Sequence, residues 1–287
     1  MGALVINTNI SSLNSQRVLA NNQAQLGNSI TRISSGVKIG GARDGGAELT
    51  LTENLRSDVL ALKQGARNLN DGVALINTAE GALNEVSSIL LRLRSLASQA
   101  ANGTVGATER EAVNLEYQAS LRELDRIASS TEFNGTFLLD GTLAASASEH
   151  IILQVGVDSS STNQIDLNGI IDLADVSTAS LGLTDSNVTT QGSAFLALND
   201  LTSAVDSLIQ TRGRVGTAQI RSLHALDNLN VQIENLTAAV STIRDADLAE
   251  EVTTLTKNQI LVQAGVAMVG QANLNPQAAL TLLEGVQ

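Results

Sequence analysis

The chain has 287 residues, no cysteine and a formal net charge of −12 at pH 7. Without cysteine, neither disulfides nor thiolate metal sites hold the fold together, and the negative charge argues against a broad nucleic-acid interface. Three phenylalanines, one tyrosine and no tryptophan are poor material for a substrate pocket, whereas the abundant leucine, alanine, valine and isoleucine are typical of long packed helices.

The N-terminal segment carries one apolar stripe at helical spacing. Ile6, Ile10 and Leu13 open this stripe at steps of four and three. Thr8 or Asn9 has the side chain to cap the helix. Serines and glycines between residues 34 and 46 then predict a break.

The clearest pattern lies between residues 55 and 100. Apolar residues alternate at intervals of four and three, with one phase slip between Ile76 and Ala79 of the kind that a stutter or stammer introduces. Asn102-Gly103 predicts a left-handed C-cap after this run. A second seam from 113 to 128 follows a short connection, which indicates an antiparallel neighbouring helix.

A change of period marks a small β insert at about 131–190. Two short strands are predicted at 151–155 and 164–167 with a serine-rich loop between them. Helical spacing then returns and predicts one helix from about 193 to 245. The predicted fold class is therefore mainly α, with a long-helix rod, a terminal coiled coil and a small β-hairpin insert.

Charge is distributed in zones along the chain. Residues 127–211 contain ten acidic residues and no lysine or arginine, and residues 258–283 contain no charge at all. The uncharged stretch is long enough to span a bilayer, but its seven amide side chains argue against a lipid-facing span. It is either a helix buried within one globule or a helix buried between copies of the protein, and its place at a chain end favours the second interpretation.

No catalytic, cofactor-binding or metal site is predicted. The two histidines, His150 and His224, supply neither a multi-histidine metal site nor a His–Asp catalytic pair. The glycines between 40 and 46 lack the preceding strand and the following Gly-Lys-Ser/Thr of a phosphate loop. We therefore expect no cofactor and no enzymatic activity.

Motifs at both ends resemble those of bacterial flagellin. They are Ile6-Asn7-Thr8-Asn9, Ser12-Leu13, Gln16-Arg17, Arg32-Ile33-Ser34-Ser35-Gly36, Arg67-Asn68, Asp71-Gly72, Thr78-Ala79-Glu80-Gly81-Ala82-Leu83, Glu132-Phe133-Asn134-Gly135, Ser241-Thr242-Ile243-Arg244-Asp245-Ala246-Asp247, Gln263-Ala264-Gly265-Val266-Ala267-Met268, Gln271-Ala272-Asn273 and Pro276-Gln277. The resemblance covers about residues 4–140 and 195–283, and the chain resembles a minimal form without the large outer domains of longer flagellins. One departure is the run from 44 to 49, which reads Asp-Gly-Gly-Ala-Glu-Leu in place of the usual Asp-Asp-Ala-Ala-Gly-Leu.

The resemblance implies a structural subunit that polymerises into the bacterial flagellar filament for motility. It implies that residues 1–42 and 250–287 form a terminal helical pair in the inner filament core, and that residues 43–249 form a helical rod domain carrying the insert. The expected assembly-core residues are Ile6, Ile10, Leu13, Ile260, Leu261, Val266, Met268 and Leu280.

The resemblance also implies partners and a location. The chain is expected to leave the cell unfolded through the flagellar secretion apparatus, without a cleaved signal peptide, and to be found in the extracellular flagellum. Its expected partners are other copies of itself in a helical filament, a flagellar secretion chaperone and cap proteins. Nucleic acid and a membrane span are not expected.

A receptor contact is implied at three residues. Arg92, Leu96 and Glu116 match the segment that the flagellin-sensing Toll-like receptor engages, although Ser95 stands where that pattern has an acidic residue. Subunit packing is the alternative role for these residues. For the whole chain, two other functions stay open: a hook–filament junction protein, which has similar ends, or a secreted binding module whose acidic insert recognises a partner.

Overall fold

The computed structural model describes residues 8–284, and the side chains of residues 8–274. The described helices are α1 (Ile10–Ser35), α2 (Gly46–Ala101), α3 (Ala107–Ser130), α4 (Leu167–Ile171), α5 (Gln191–Arg244) and α6 (Leu248–Glu284), with a 3-10 turn at Ser161–Asn163. The described strands are β1 (Glu132–Phe133), β2 (Thr136–Phe137), β3 (Ile152–Gln154) and β4 (Gln164–Asp166). The predicted mainly α fold with a small β insert is confirmed.

The chain forms two compact units. We call Met1–Ser57 together with Leu236–Gln287 the terminal unit, and Asp58–Asn235 the central unit. The helix predicted at about 193–245 is confirmed as α5.

The core of the central unit follows a single seam along α2. Buried residues recur at intervals of three and four from Leu62 to Ala100 without interruption, so the predicted phase slip is wrong. Gly65 and Gly72 hold the seam positions that the apolar pattern alone assigned to their larger neighbours. This seam joins fully buried residues of α3 and α5 in one hydrophobic cluster.

The two seam glycines make room for the β3–β4 hairpin. A Cβ added at Gly65 would lie 2.3 Å from the Val155 carbonyl oxygen, and one at Gly72 would lie 2.2 Å from a Leu153 methyl carbon. The hairpin backbone therefore lies directly against α2. The strands are antiparallel, with Leu153 opposite Ile165, as the sequence predicts.

A second hairpin precedes the first. β1 and β2 pair antiparallel across Asn134 and Gly135, whose φ angles are 51° and 79°. Two successive residues with positive φ are the signature of a type I′ turn, which Asn-Gly favours. The Asn134-Gly135 pair is visible in the sequence, but its two-residue strands are too short to give the alternating pattern that would predict a hairpin.

The end of α2 is closed by side chains. Neither Asn102 nor Gly103 has a positive φ, so the predicted left-handed C-cap is wrong. The Arg110 Nε instead donates to the Ala100 carbonyl at 2.7 Å, and the Gln191 Nε2 donates to the Ala101 carbonyl at 3.0 Å. These donors satisfy carbonyls that the helix end leaves without intrahelical partners.

Candidate assembly surface

In the terminal unit, α1 and α6 lie side by side and run antiparallel. Near the start of α1, the Asn9 Nδ2 donates to the carbonyl of Ala272 at 2.7 Å. Further along α1, Leu19 lies opposite Gly265, where an added Cβ would meet a Leu19 methyl carbon at 3.1 Å. The missing side chain of Gly265 therefore permits the close approach of the two helices.

The buried residues of this unit are mostly small and polar. Within residues 8–57 and 236–274, the residues with 8% exposure or less are Ser12, Ser29, Ile39, Thr52, Asn258 and Ala272. Folded domains normally bury their large aliphatic side chains, because removing apolar surface from water is the main driving force of folding. The described part of the terminal unit therefore lacks a hydrophobic core of its own.

The large apolar side chains of the same helices face outward. Six of the predicted assembly residues are between 38% and 71% exposed: Ile10, Leu13, Ile260, Leu261, Val266 and Met268. Ile6 lies outside the described residues, and Leu280 lies outside the range whose side chains are described. Exposed apolar faces of this kind mark surfaces that another molecule covers.

Charge is scarce on these faces. Arg17 is exposed and donates to the Asn14 Oδ1 at 2.9 Å. In α6, none of the described side chains that follow Lys257 is charged. The Arg32 Nη1 pairs with the Glu251 Oε1 at 3.2 Å. The second carboxylate oxygen of Glu251 is buried without a hydrogen-bond partner among the described residues. Few charges would therefore have to lose water when another molecule covers the surface.

The other end of the helix pair is fixed by backbone hydrogen bonds. The Ala246 N–H donates to the Gly36 carbonyl at 3.0 Å, and the Lys38 N–H donates to the Arg244 carbonyl at 2.7 Å. Gly36 has a φ of 72°, a left-handed conformation that ends α1. The Asp44 Oδ2 accepts the N–H groups of the loop glycines at 3.1 Å, so the run that departs from the family pattern is ordered locally. The end of α1 is thus held beside the start of α6.

Two polar contacts at the open end of the pair were not predicted. The predicted Asn9 cap is confirmed, since its Oδ1 accepts the Ser12 N–H at 3.1 Å. The contact of Asn9 with Ala272, and the 2.7 Å hydrogen bond from the Ser12 Oγ to the Asn273 Oδ1, were missed. Periodicity of apolar residues carries no information on such contacts. The polar motifs at the two chain ends were the available signal.

The three predicted receptor residues lie together at the contact between α2 and α3. The Arg92 Nε donates to the Glu116 Oε1 at 3.0 Å, and both side chains are about half exposed. Leu96 is buried in the core of the central unit. The arrangement presents an exposed ion pair above a fixed apolar residue.

The histidines occupy separate places in the central unit. The His150 Nδ1 lies 2.7 Å from the Asp166 Oδ2, and His224 is exposed on α5. Burial alone would raise the pKa of Asp166, but hydrogen bonds from His150 and from the Gly169 N–H outweigh it and hold that pKa below its ordinary value. Asp166 also caps α4 through the Gly169 N–H, so the pair serves the local fold.

The described residues include neither a metal-binding cluster nor a membrane-spanning helix. Among them, no three histidine, cysteine or acidic side chains gather in a way that could hold a metal ion. None of the helices in that part of the chain combines the length and apolar character that crossing a membrane requires.

Family models match both ends of the chain. The model of the bacterial flagellin N-terminal helical region matches residues 6–144. The model of the bacterial flagellin C-terminal helical region matches residues 198–283. The matched ranges include α1, the first two strands and nearly all of α6.

Similar proteins match over nearly the full length. A flagellin of Halalkalibacterium halodurans is 38% identical over 98% of this chain and 100% of that protein. The flagellar filament 30.7 kDa core protein of Treponema maltophilum is 37% identical, with the same two coverages. The crystal structure of Bacillus cereus flagellin shares 33% identity over 61% of this chain and 94% of that chain, with a TM-score of 0.48.

Proposed function

Because this chain belongs to the bacterial flagellin family, we propose that the exposed faces of α1 and α6 are the surface through which its copies assemble. The chain is a structural subunit of the flagellar filament. It is a short flagellin-like chain. Residues 1–42 and 250–287 supply the inner core of the filament in this proposal.

The observation that carries the proposal is the inverted burial of the terminal unit. Among the described side chains, the buried ones are mainly serine, threonine and asparagine, with Ile39 as the large aliphatic exception, while the predicted assembly isoleucines, leucines, valine and methionine are exposed. Each large aliphatic side chain that moves from water into a packed interface contributes about 1.5–3 kcal/mol. A few such side chains per copy therefore supply a substantial driving force for association.

Export and the other partners belong to the same proposal. The filament is extracellular, and we infer that the subunit reaches it through the flagellar secretion apparatus, assisted by a secretion chaperone and by cap proteins. The exposed apolar faces support a chaperone, because such surfaces associate non-specifically when left uncovered. The acidic insert remains in contact with solvent.

A receptor contact is a second candidate function. The exposed Arg92–Glu116 pair offers one donor and one acceptor to a partner, and the neighbouring Leu91 and Leu115 are themselves more than half exposed. A polar pair flanked by exposed leucines has the composition of a protein-binding patch. In this proposal Leu96 supports the patch from below.

Enzymatic activity is not part of the proposed function. The family is one of structural proteins, and the two histidines lie apart from each other. His150 is bound to the helix-capping Asp166, and His224 stands alone on α5.

Truncation tests the proposed function. Removal of residues 258–287 should abolish polymerisation, while far-UV circular dichroism still reports a largely helical central unit. Electron microscopy and sedimentation of both chains provide the readout. Filaments formed by the truncated chain would refute the role of α6. An intact chain that stays monomeric at high concentration would favour the binding-module alternative.

A further inference from the structure

The helix α6 contains a gap in its backbone hydrogen bonding. Residue 276 is proline, which has no N–H, so the carbonyl of Ala272 four residues earlier loses its intrahelical donor. Ala272 is one of the few buried residues of the terminal unit. A buried carbonyl without a donor costs about as much free energy as a lost hydrogen bond. A hydrogen-bond donor from outside the helix therefore stabilises α6 at the Ala272 carbonyl more than it would at a carbonyl that already has an intrahelical partner.

The donor comes from α1. The Asn9 Nδ2 reaches the Ala272 carbonyl at 2.7 Å, while the Oδ1 of the same amide accepts the Ser12 N–H at 3.1 Å. One side chain thus closes the first turn of α1 and the gap in α6. The Ser12 Oγ adds a hydrogen bond of 2.7 Å to the Asn273 Oδ1.

The backbone hydrogen bonds at Gly36 and Lys38 fix one end of the helix pair, and the open end needs contacts of its own. The buried residues are small, and the close approach at Gly265 is made by the absence of a side chain. Among the described side chains near the open end, no large buried residue interlocks the two helices. Polar side chains that bond across a helix pair commonly select its register, and Asn9 is half-buried at such a position.

We propose that Asn9 fixes the register of α1 against α6 at the open end of the pair, by donating to the carbonyl that Pro276 leaves free. This inference rests on the proposed assembly role of the terminal unit. A slide by one turn in either direction would leave the Ala272 carbonyl buried without a donor. The observed register lets Asn9 cap α1 and bond the Ala272 carbonyl of α6 at the same time. It also sets which apolar side chains stand together on the assembly surface.

The test is a double-mutant cycle on the full-length chain. Asn9→Ser keeps an N-cap oxygen but is too short to reach Ala272. Pro276→Ala returns an N–H to α6, so the Ala272 carbonyl gains a donor in its own helix. The critical concentration for filament formation is measured by sedimentation for the unchanged chain, both single variants and the double variant.

We expect Asn9→Ser to raise the critical concentration roughly five- to tenfold in the unchanged background, the size of one lost hydrogen bond with its partner left buried. In the Pro276→Ala background the same change should have an effect of less than about twofold. If Asn9→Ser prevents assembly altogether, adding Pro276→Ala should restore filaments.

Two results would overturn the proposal. Equal factors in both backgrounds would mean that Asn9 acts independently of the carbonyl that Pro276 leaves free, and no effect in either would mean that it does not contribute to assembly. Failure of the unchanged chain to polymerise is a different result, because it would contradict the proposed function itself.

Discussion

Replacing Ile260 by alanine probes the assembly surface directly. Ile260 lies on α6 and is 59% exposed in the described chain. The change removes three carbon atoms, about 2.4 kcal/mol of transfer free energy for complete burial at ~0.8 kcal/mol each. Only the exposed share is still to be buried on association, which leaves about 1.4 kcal/mol, or a roughly tenfold rise in critical concentration. The free energy of unfolding of the unassembled subunit should change little, because the side chain is already largely in water.

The matched control is Ile220→Ala. Ile220 is also 59% exposed on a long helix, but it lies on α5 in the central unit. Critical concentrations from sedimentation, with urea unfolding of each unassembled variant, separate the two positions. Equal shifts for both variants would refute the assignment of the contact surface to the terminal unit. A large loss of subunit stability in Ile260→Ala would refute the inference that this side chain is unpartnered before assembly.

Two further predictions concern the central unit. Gly65→Ala should lower the unfolding free energy by about 1–3 kcal/mol, because its Cβ would lie 2.3 Å from the Val155 carbonyl oxygen. Gly81→Ala is the control, because an added Cβ there meets open space on the same helix, and it should raise the unfolding free energy by up to about 1 kcal/mol. Urea titrations measure both variants. Equal losses of unfolding free energy in the two variants would contradict the close contact at Gly65. Glu116→Ala should weaken activation of the flagellin-sensing receptor in a reporter-cell assay, since it removes the partner of Arg92. Glu123→Ala, which breaks the exposed pair with Arg126 on the same helix, is its control, and an equal loss for both would refute a specific contact.

The sequence predicts the long helices well because their signals are local. Seams of leucine and alanine repeat at a period that a helix alone satisfies, and the breaks at Gly36 and Gly46 coincide with the helix limits to within a residue. The strands at 152–154 and 164–166 follow from a change of period and a serine-rich loop. These features need no knowledge of distant parts of the chain.

The errors have a common physical origin in contacts between different elements of the fold. The apolar pattern passes over Gly65 and Gly72, yet they belong to the seam because a hairpin eighty to ninety residues later lies on them. Asn102-Gly103 has the composition of a left-handed cap, but Arg110 and Gln191 satisfy the end of α2 instead. Tertiary donors override local preference at such positions.

The candidate surface was predicted by its charge pattern, and its interior was not. An uncharged chain end indicates a helix that something must cover, and the exposed Ile260 and Met268 agree with that. The buried Ser12 and Asn258 were not predicted, because serine and asparagine normally indicate exposed positions.

The pairing of α1 with α6 has a kinetic consequence. Asn9 and Ala272 are separated by 263 positions along the chain, so their contact has nearly the largest loop-closure entropy that the molecule can present. Contacts of such separation form late, after local helical structure. The hydrogen bond from Arg110 to Ala100, by contrast, joins α2 and α3 across ten positions and is available early. A chain that emerges with its N-terminus first therefore holds α1 without its intramolecular partner until the residues around Ala272 have appeared.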